Sequence, residues 1–300
     1  MQQPIIHSSF KTYLRLERGL SDNTLEAYLH DVELLFRFLA EEKNGLSYQK
    51  VQQEDLRDFL QHIHRLGLSA YTQSRILSGI KSFYGFLMQE KEVEINPTAL
   101  IESPKLGMKL PEVLSLTEVE KIIHSVDLSL PEGERNKAIL EVLYGCGLRV
   151  SELVNLRLSY IHFNENVIRV TGKGDKQRLI PLGEPAKKQM LTYITHVRNH
   201  ITPKKGAEDI VFLNRTGGKL SRQMVFIMVR KQCVKAGIKK VISPHTFRHS
   251  FATHLVQNGA DLRAVQELLG HVSITTTEIY THLNIHDLRK TILNFHPRNH

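Results

Sequence analysis

The chain has 300 residues, 41% hydrophobic and 24% charged, a balance that excludes bulk disorder. No apolar run approaches the roughly 20 residues of a membrane span, and residues 1–10 lack a secretory pattern, so neither is expected. The net charge of +9 is unevenly placed: residues 1–110 carry 13 basic and 14 acidic side chains, and residues 111–300 carry 27 and 17. A basic excess confined to one part points to a polyanionic partner, nucleic acid first, although solubility charge alone would also produce it. Cys146 and Cys233 are far apart and lack metal-type spacing. No disulfide framework or zinc site is expected, and a reducing cytoplasm is the default compartment.

The N-terminal part reads as helical. One helix precedes Gly19. Ser21-Asp22 offers an N-cap for the next, and Leu25, Tyr28, Leu29, Val32, Phe36 and Leu39 then recur at steps of three and four. Asn44-Gly45 ends it. Leu56, Phe59, Leu60 and Ile63 mark a third helix over about 53–66. Ile76, Leu77, Ile80, Phe83, Tyr84 and Leu87 mark a fourth over about 69–89. The expected product is a bundle of about four helices.

Residues 103–111, with two prolines, a glycine and two lysines, predict a linker between domains at 1–102 and 112–300. Ser115-Leu116-Thr117-Glu118 fits a capping box. The rest reads as mainly helical with a small β-sheet. Val167-Ile168-Arg169-Val170 and Gln177-Arg178-Leu179-Ile180-Pro181-Leu182 flank turn-type residues, predicting a hairpin with Lys173 near its tip. Ile210-Val211-Phe212-Leu213 predicts a third strand.

Several local features of this part could carry chemistry. Arg149 and Glu152 share a helical face, as a functional pair or as a plain surface ion pair. Lys173 is flanked by glycines that allow close approach to a ligand, or is a solvated turn lysine. His245 and Arg248 sit at i and i+3 after Ser243-Pro244, as an anion site at a helix start or as part of a plain capped surface helix. His271 follows a C-cap type glycine, Gly270. Tyr280 lies beside Ile279, where core packing is the ordinary reading. A nucleophilic tyrosine needs cationic neighbours, since a phenol has a pKa of about 10. Gly217-Gly218-Lys219-Leu220-Ser221-Arg222 reads as a loop that contacts a nucleic-acid backbone, or as a solvated basic turn.

Taken together, Gly147-Leu148-Arg149-Val150-Ser151-Glu152, Gly172-Lys173-Gly174-Asp175-Lys176, His245-Thr246-Phe247-Arg248, Leu269-Gly270-His271 and Tyr280 resemble the tyrosine recombinase (phage integrase) family in order and spacing. Arg18-Gly19-Leu20-Ser21-Asp22-Asn23-Thr24-Leu25 and the terminal Phe295-His296-Pro297-Arg298 bring the likeness closest to its Xer-type branch. The resemblance covers nearly the full chain. It implies a SAM-like core-binding bundle followed by an α+β catalytic domain. It also implies the roles: Tyr280 as nucleophile, Arg149, His245, Arg248 and His271 on the phosphate, Lys173 as acid, and Glu152 in support. Lys176, Lys219 and Arg222 are expected to contact DNA. The implied enzyme needs no cofactor or metal and does not act on membranes. It works on double-stranded DNA as a homo- or hetero-tetramer, with a DNA translocase of the FtsK kind as an optional activator. Residues 285–300 would then dock into a neighbouring subunit through Leu288, Ile292 and Phe295, unless they fold onto their own domain. Two rivals share some of these features: a type IB topoisomerase, and a DNA-binding regulator without catalysis.

Overall fold

The computed structural model describes residues 2–104, 112–172, 177–270 and 282–298. The chain forms two compact units, Met1–Lys109 and Leu110–His300. Most of the expected linker, 105–111, lies outside the described residues.

The first unit contains α1 (Gln2–Leu16), α2 (Asp22–Glu42), α3 (Gln53–Arg65) and α4 (Ala70–Gln89). Ser21 stands at the extended N-cap of α2, and the Ser69 hydroxyl accepts from the Thr72 amide at the start of α4. Asn44 and Gly45 adopt left-handed backbone after α2, and the Gly45 amide closes onto the Leu39 carbonyl at 3.0 Å. The apolar stripe of α2 faces inward, with Leu25, Leu29, Val32, Leu35, Phe36 and Leu39 buried. Aromatic edges complete this core: Phe83 meets Phe10 at 5.2 Å and Phe36 at 5.7 Å. The buried Tyr84 hydroxyl donates to the Tyr48 carbonyl at 3.0 Å. Asp31 is fully buried between α2 and α4 and accepts from Arg75 at 2.7 Å, in space left by Gly79.

The second unit holds α5 (Leu116–His124), α6 (Gly133–Gly145), α7 (Val150–Val154), β1 (Ile161–His162), β2 (Val167–Thr171), β3 (Gln177–Pro181), α8 (Glu184–His196), α9 (Arg222–Lys235), α10 (Pro244–Gln257), α11 (Leu262–Leu269) and α12 (His282–Phe295). Ser115 and Glu118 form the expected capping box on α5. Helix α6 is the spine, with every residue from Ala138 to Tyr144 buried. The sheet is antiparallel in the order β1-β2-β3, and Thr171 pairs with Gln177 to close the hairpin. Its third strand is β1, not the segment expected at 210–213. That segment makes only single bridges, Arg157 to Ile210 and Leu213 to Lys219, and the Val211 amide donates to Leu156. Val211, Phe212 and Leu213 are apolar because they are a buried connection rather than a sheet strand.

Helix α12 packs on its own unit. Leu288 and Ile292 enter the same core as α6 and α10, and Asn258 Nδ2 donates to the Phe295 carbonyl at 2.8 Å. The face expected to dock into a neighbour is thus filled in cis. Arg298 pairs with the buried Glu141, and His296 lies against the rings of Tyr144 and Phe251. Both cysteines are free and buried, and burial pushes the Cys146 thiol up to about 12 and the Cys233 thiol up to about 11. Among the described residues no helix is long and apolar enough to cross a membrane.

Candidate active site

The site begins at a tight turn between α6 and α7. Gly147 has φ +58°, and a Cβ there would fall 2.5 Å from Phe251 Cδ1 on α10. Only glycine lets the chain turn this closely under α10. Two residues on, Arg149 caps α7, and its backbone amide donates to Glu152 Oε2 at 2.8 Å. Its Nη1 donates to Oε1 of the same carboxylate at 3.0 Å. The i and i+3 spacing therefore produces a real pair, but not the surface pair that the sequence also allowed. The Glu152 side chain is 2% exposed and Arg149 is 34% exposed, so the acid is interior and the guanidinium reaches solvent.

A second arginine holds the same acid. Arg178, on β3, sends Nη1 to Oε1 at 2.7 Å and Nη2 to Oε2 at 2.9 Å. This fork is the strong geometry for a carboxylate. A third, Arg248 on α10, has Nη1 at 4.0 Å from Oε2 and donates to the Gly147 carbonyl at 2.7 Å. Burial alone would push the Glu152 carboxyl up. The hydrogen bonds and charge of Arg178, then the hydrogen bonds of Arg149, outweigh it and hold the group below the usual carboxylate range.

The C-terminal end of α11 closes this ring. Its last two carbonyls and that of the C-cap Gly270 each accept from a different arginine: Leu268 from Arg178 Nε at 3.1 Å, Leu269 from Arg248 Nη2, and Gly270 from Arg149 Nη2 at 3.3 Å. Orphan carbonyls at a helix end are natural partners for cations. Gly270 is left-handed, as a C-cap glycine should be. Three guanidiniums thus meet one carboxylate. Burial, with the charges of Arg149 and Arg178 adding to it, pushes Arg248 down to about 10. A surplus of positive charge in a partly dry site is built to accept an anion.

Of the residues singled out in the sequence, the fold brings Arg149, Glu152 and Arg248 together. His245 stands exposed on the first turn of α10, three residues before Arg248, behind the Ser243–Thr246 cap and Pro244. Lys219 is exposed and hydrogen-bonds Asn155, the residue that ends α7. Arg222 is exposed on the first turn of α9, which Ser221 caps. Lys173, Lys176, His271 and Tyr280 lie outside the described residues. Among the described residues no group of three or more His, Cys, Asp or Glu could hold a metal ion. Arg178 was not singled out. The signal for it was strand phase: Arg178 shares a face of β3 with the fully buried Ile180, and a cation pointing inward needs a buried partner.

Residues 112–287 match the phage integrase family, and residues 8–91 match the phage integrase N-terminal SAM-like domain. The tyrosine recombinase XerD of Oceanobacillus iheyensis is 42% identical over 289 residues, covering 96% of this chain and 97% of that one. XerD of Staphylococcus aureus is 42% identical over 294 residues, covering 98% and 99%. The fold is similar to that of the XerH site-specific recombinase in a post-cleavage complex with palindromic difH substrate. There the TM-score is 0.71 and the identity 23%, over 96% of this chain and 84% of that one. With both domains matched and close relatives aligned end to end, the chain belongs to the phage integrase family of tyrosine recombinases, in its Xer branch.

Proposed function

We propose that this chain cleaves and rejoins DNA at a specific site through a 3′-phosphotyrosyl intermediate, and that it resolves chromosome dimers at dif-like sites. One observation carries the reading: Arg149 and Arg248 converge on a single carboxylate and leave positive charge over for a phosphodiester. In the proposed cycle the Tyr280 phenolic oxygen attacks the scissile phosphorus. The bond from phosphorus to the 5′ oxygen breaks as the bond to tyrosine forms. Arg149 and Arg248 hold the non-bridging oxygens, where fixed donors stabilise the crowded transition state better than mobile water. His245 and His271 hydrogen-bond the same oxygens, and one of them accepts the phenol proton. Lys173 protonates the departing 5′ oxygen. Glu152 keeps Arg149 in place. Rejoining reverses these steps with a 5′ hydroxyl from another strand, and the phosphotyrosine retains the bond energy between them.

The proposed partner is double-stranded DNA, in keeping with the difH complex of XerH. Lys176, Lys219 and Arg222 are assigned to its backbone. Exchange between two duplexes needs four active sites, so the proposed assembly is a tetramer, of this chain alone or with a related recombinase. A DNA translocase of the FtsK kind is proposed as its activator. A Tyr280→Phe variant tests the chemistry. On a nicked suicide duplex it should bind DNA like the wild type and form no covalent protein–DNA adduct. An adduct that persists in this variant would overturn the assignment.

A further inference from the structure

We propose that Arg178 is a positioning residue for strand cleavage, tying Glu152, and through it Arg149, to the end of α11. The inference rests on the recombinase reading above and deepens it. Arg178 does not touch solvent enough to meet DNA itself, since its side chain is 8% exposed. What it does touch is both halves of the site. Two of its nitrogens grip both oxygens of Glu152, and the third donates to the Leu268 carbonyl. Gly270 is shaped around it: a Cβ at that residue would lie 3.1 Å from Arg178 Cδ, Nε and Nη1.

These contacts give Arg178 two routes to the reacting centre. The first runs through Glu152, whose carboxylate fixes Arg149 by both its amide and its guanidinium. The second runs along the chain, because the three carbonyls shared among the arginines immediately precede His271, and Tyr280 follows nine residues later. The charged groups facing Glu152 are Arg149 from the start of α7, Arg178 from β3 and Arg248 from α10. The end of α11 presents carbonyls. Lysine cannot replace this arrangement, because it offers one point charge where three directed donors are used.

The test measures single-turnover adduct formation by the full-length protein on a nicked duplex carrying a dif-like core, from pH 5.5 to 9. DNA affinity and thermal melting are measured alongside. Arg178→Gln should lose about 10²-fold in cleavage rate with little change in DNA affinity, the scale expected when a catalytic group is misplaced by about 1 Å. Its rate should also fall at acidic pH more steeply than that of the wild type, because burial then raises the Glu152 carboxyl with its main counter-charge gone. Glu152→Gln/Arg178→Gln should share the loss in rate and fall at acidic pH no more steeply than the wild type, since no carboxyl is left there to titrate. Arg178→Lys should keep the wild-type pH profile and recover only part of the rate. The two glutamine variants differ in buried charge, so the neutral pair and the lysine variant test the idea even if Arg178→Gln is poorly folded. A pH profile unmoved by Arg178→Gln, or a loss wholly in DNA affinity or melting, would overturn the inference. Absence of an adduct in the wild type would instead overturn the recombinase reading on which it rests.

Discussion

Gly147→Ala is the substitution whose cost can be worked most directly from the structure. Gly147 sits at φ +58°, and an L-residue held in left-handed backbone costs roughly 1–2 kcal/mol. The added methyl would lie 2.5 Å from Phe251 Cδ1 and 2.7 Å from Cε1. Phe251 is fully buried and cannot swing aside. Overpacking of this kind costs about 1–3 kcal/mol. The total, about 2–5 kcal/mol, is a large share of what a domain of this size has to lose. The chain has no tryptophan, so urea unfolding is best followed by far-UV circular dichroism. The second unit should unfold at lower urea while the contribution of the first stays in place. Phe251→Leu separates the two causes: in a double-mutant cycle it should recover the overlap and leave the backbone strain. Cleavage should suffer beyond stability, because the Gly147 carbonyl accepts from Arg248 and Arg149 is two residues on. A loss under about 1 kcal/mol, or zero coupling to Phe251→Leu, would refute the reasoning.

Two further outcomes are expected. His296 is buried, and burial first, then the charges of Arg298 and His254, push it down to about 4 from 6.5. The unfolded chain therefore takes up a proton in a window where the folded chain does not. The stabilisation is complete above about pH 6.5 and is lost as pH falls towards 4, by at most about 3 kcal/mol. His296→Phe should flatten the dependence of urea midpoint on pH in that window, and an unaltered slope would show that His296 is not its source. Lys219→Gln should weaken DNA binding and reduce the slope of log affinity against log salt by about 1, as for one lost phosphate contact. An unchanged slope would remove Lys219 from the DNA surface.

Much of the fold could be read from local chemistry. Ser69 and Ser115 each precede a helix because the hydroxyl of an extended residue accepts from a first-turn amide, and Ser21 holds the same extended position without that bond. The stripe from Leu25 to Leu39 gives α2 its buried face for the same local reason. The segment 210–213 failed because a short apolar run looks alike in a strand and in a buried connection. What decides between them is the backbone partner, and Ile161 found Ile168 while Val211 found Leu156. In the site, Arg149, Glu152 and Arg248 were legible from motif spacing. Arg178 was not, because its meaning lies in Glu152, 26 residues earlier in the chain, and in a carbonyl 90 residues later. Sequence separation of that size leaves only strand phase as a clue. The Gly147 contact with Phe251 is of the same kind: the glycine is visible, but the ring that demands it lies on α10.

The placement of the two thiols gives the molecule a built-in reporter. Cys146 and Cys233 are the chain's entire cysteine content, and both lie in the second unit. Cys146 is fully buried and Cys233 nearly so, and both are held protonated, so an alkylating reagent reacts with them chiefly when that unit opens. Labelling therefore counts openings of the second unit alone, with the helical bundle silent throughout. Cys146 adjoins Gly147, so its modification rate reads the breathing of the same turn that delivers Arg149.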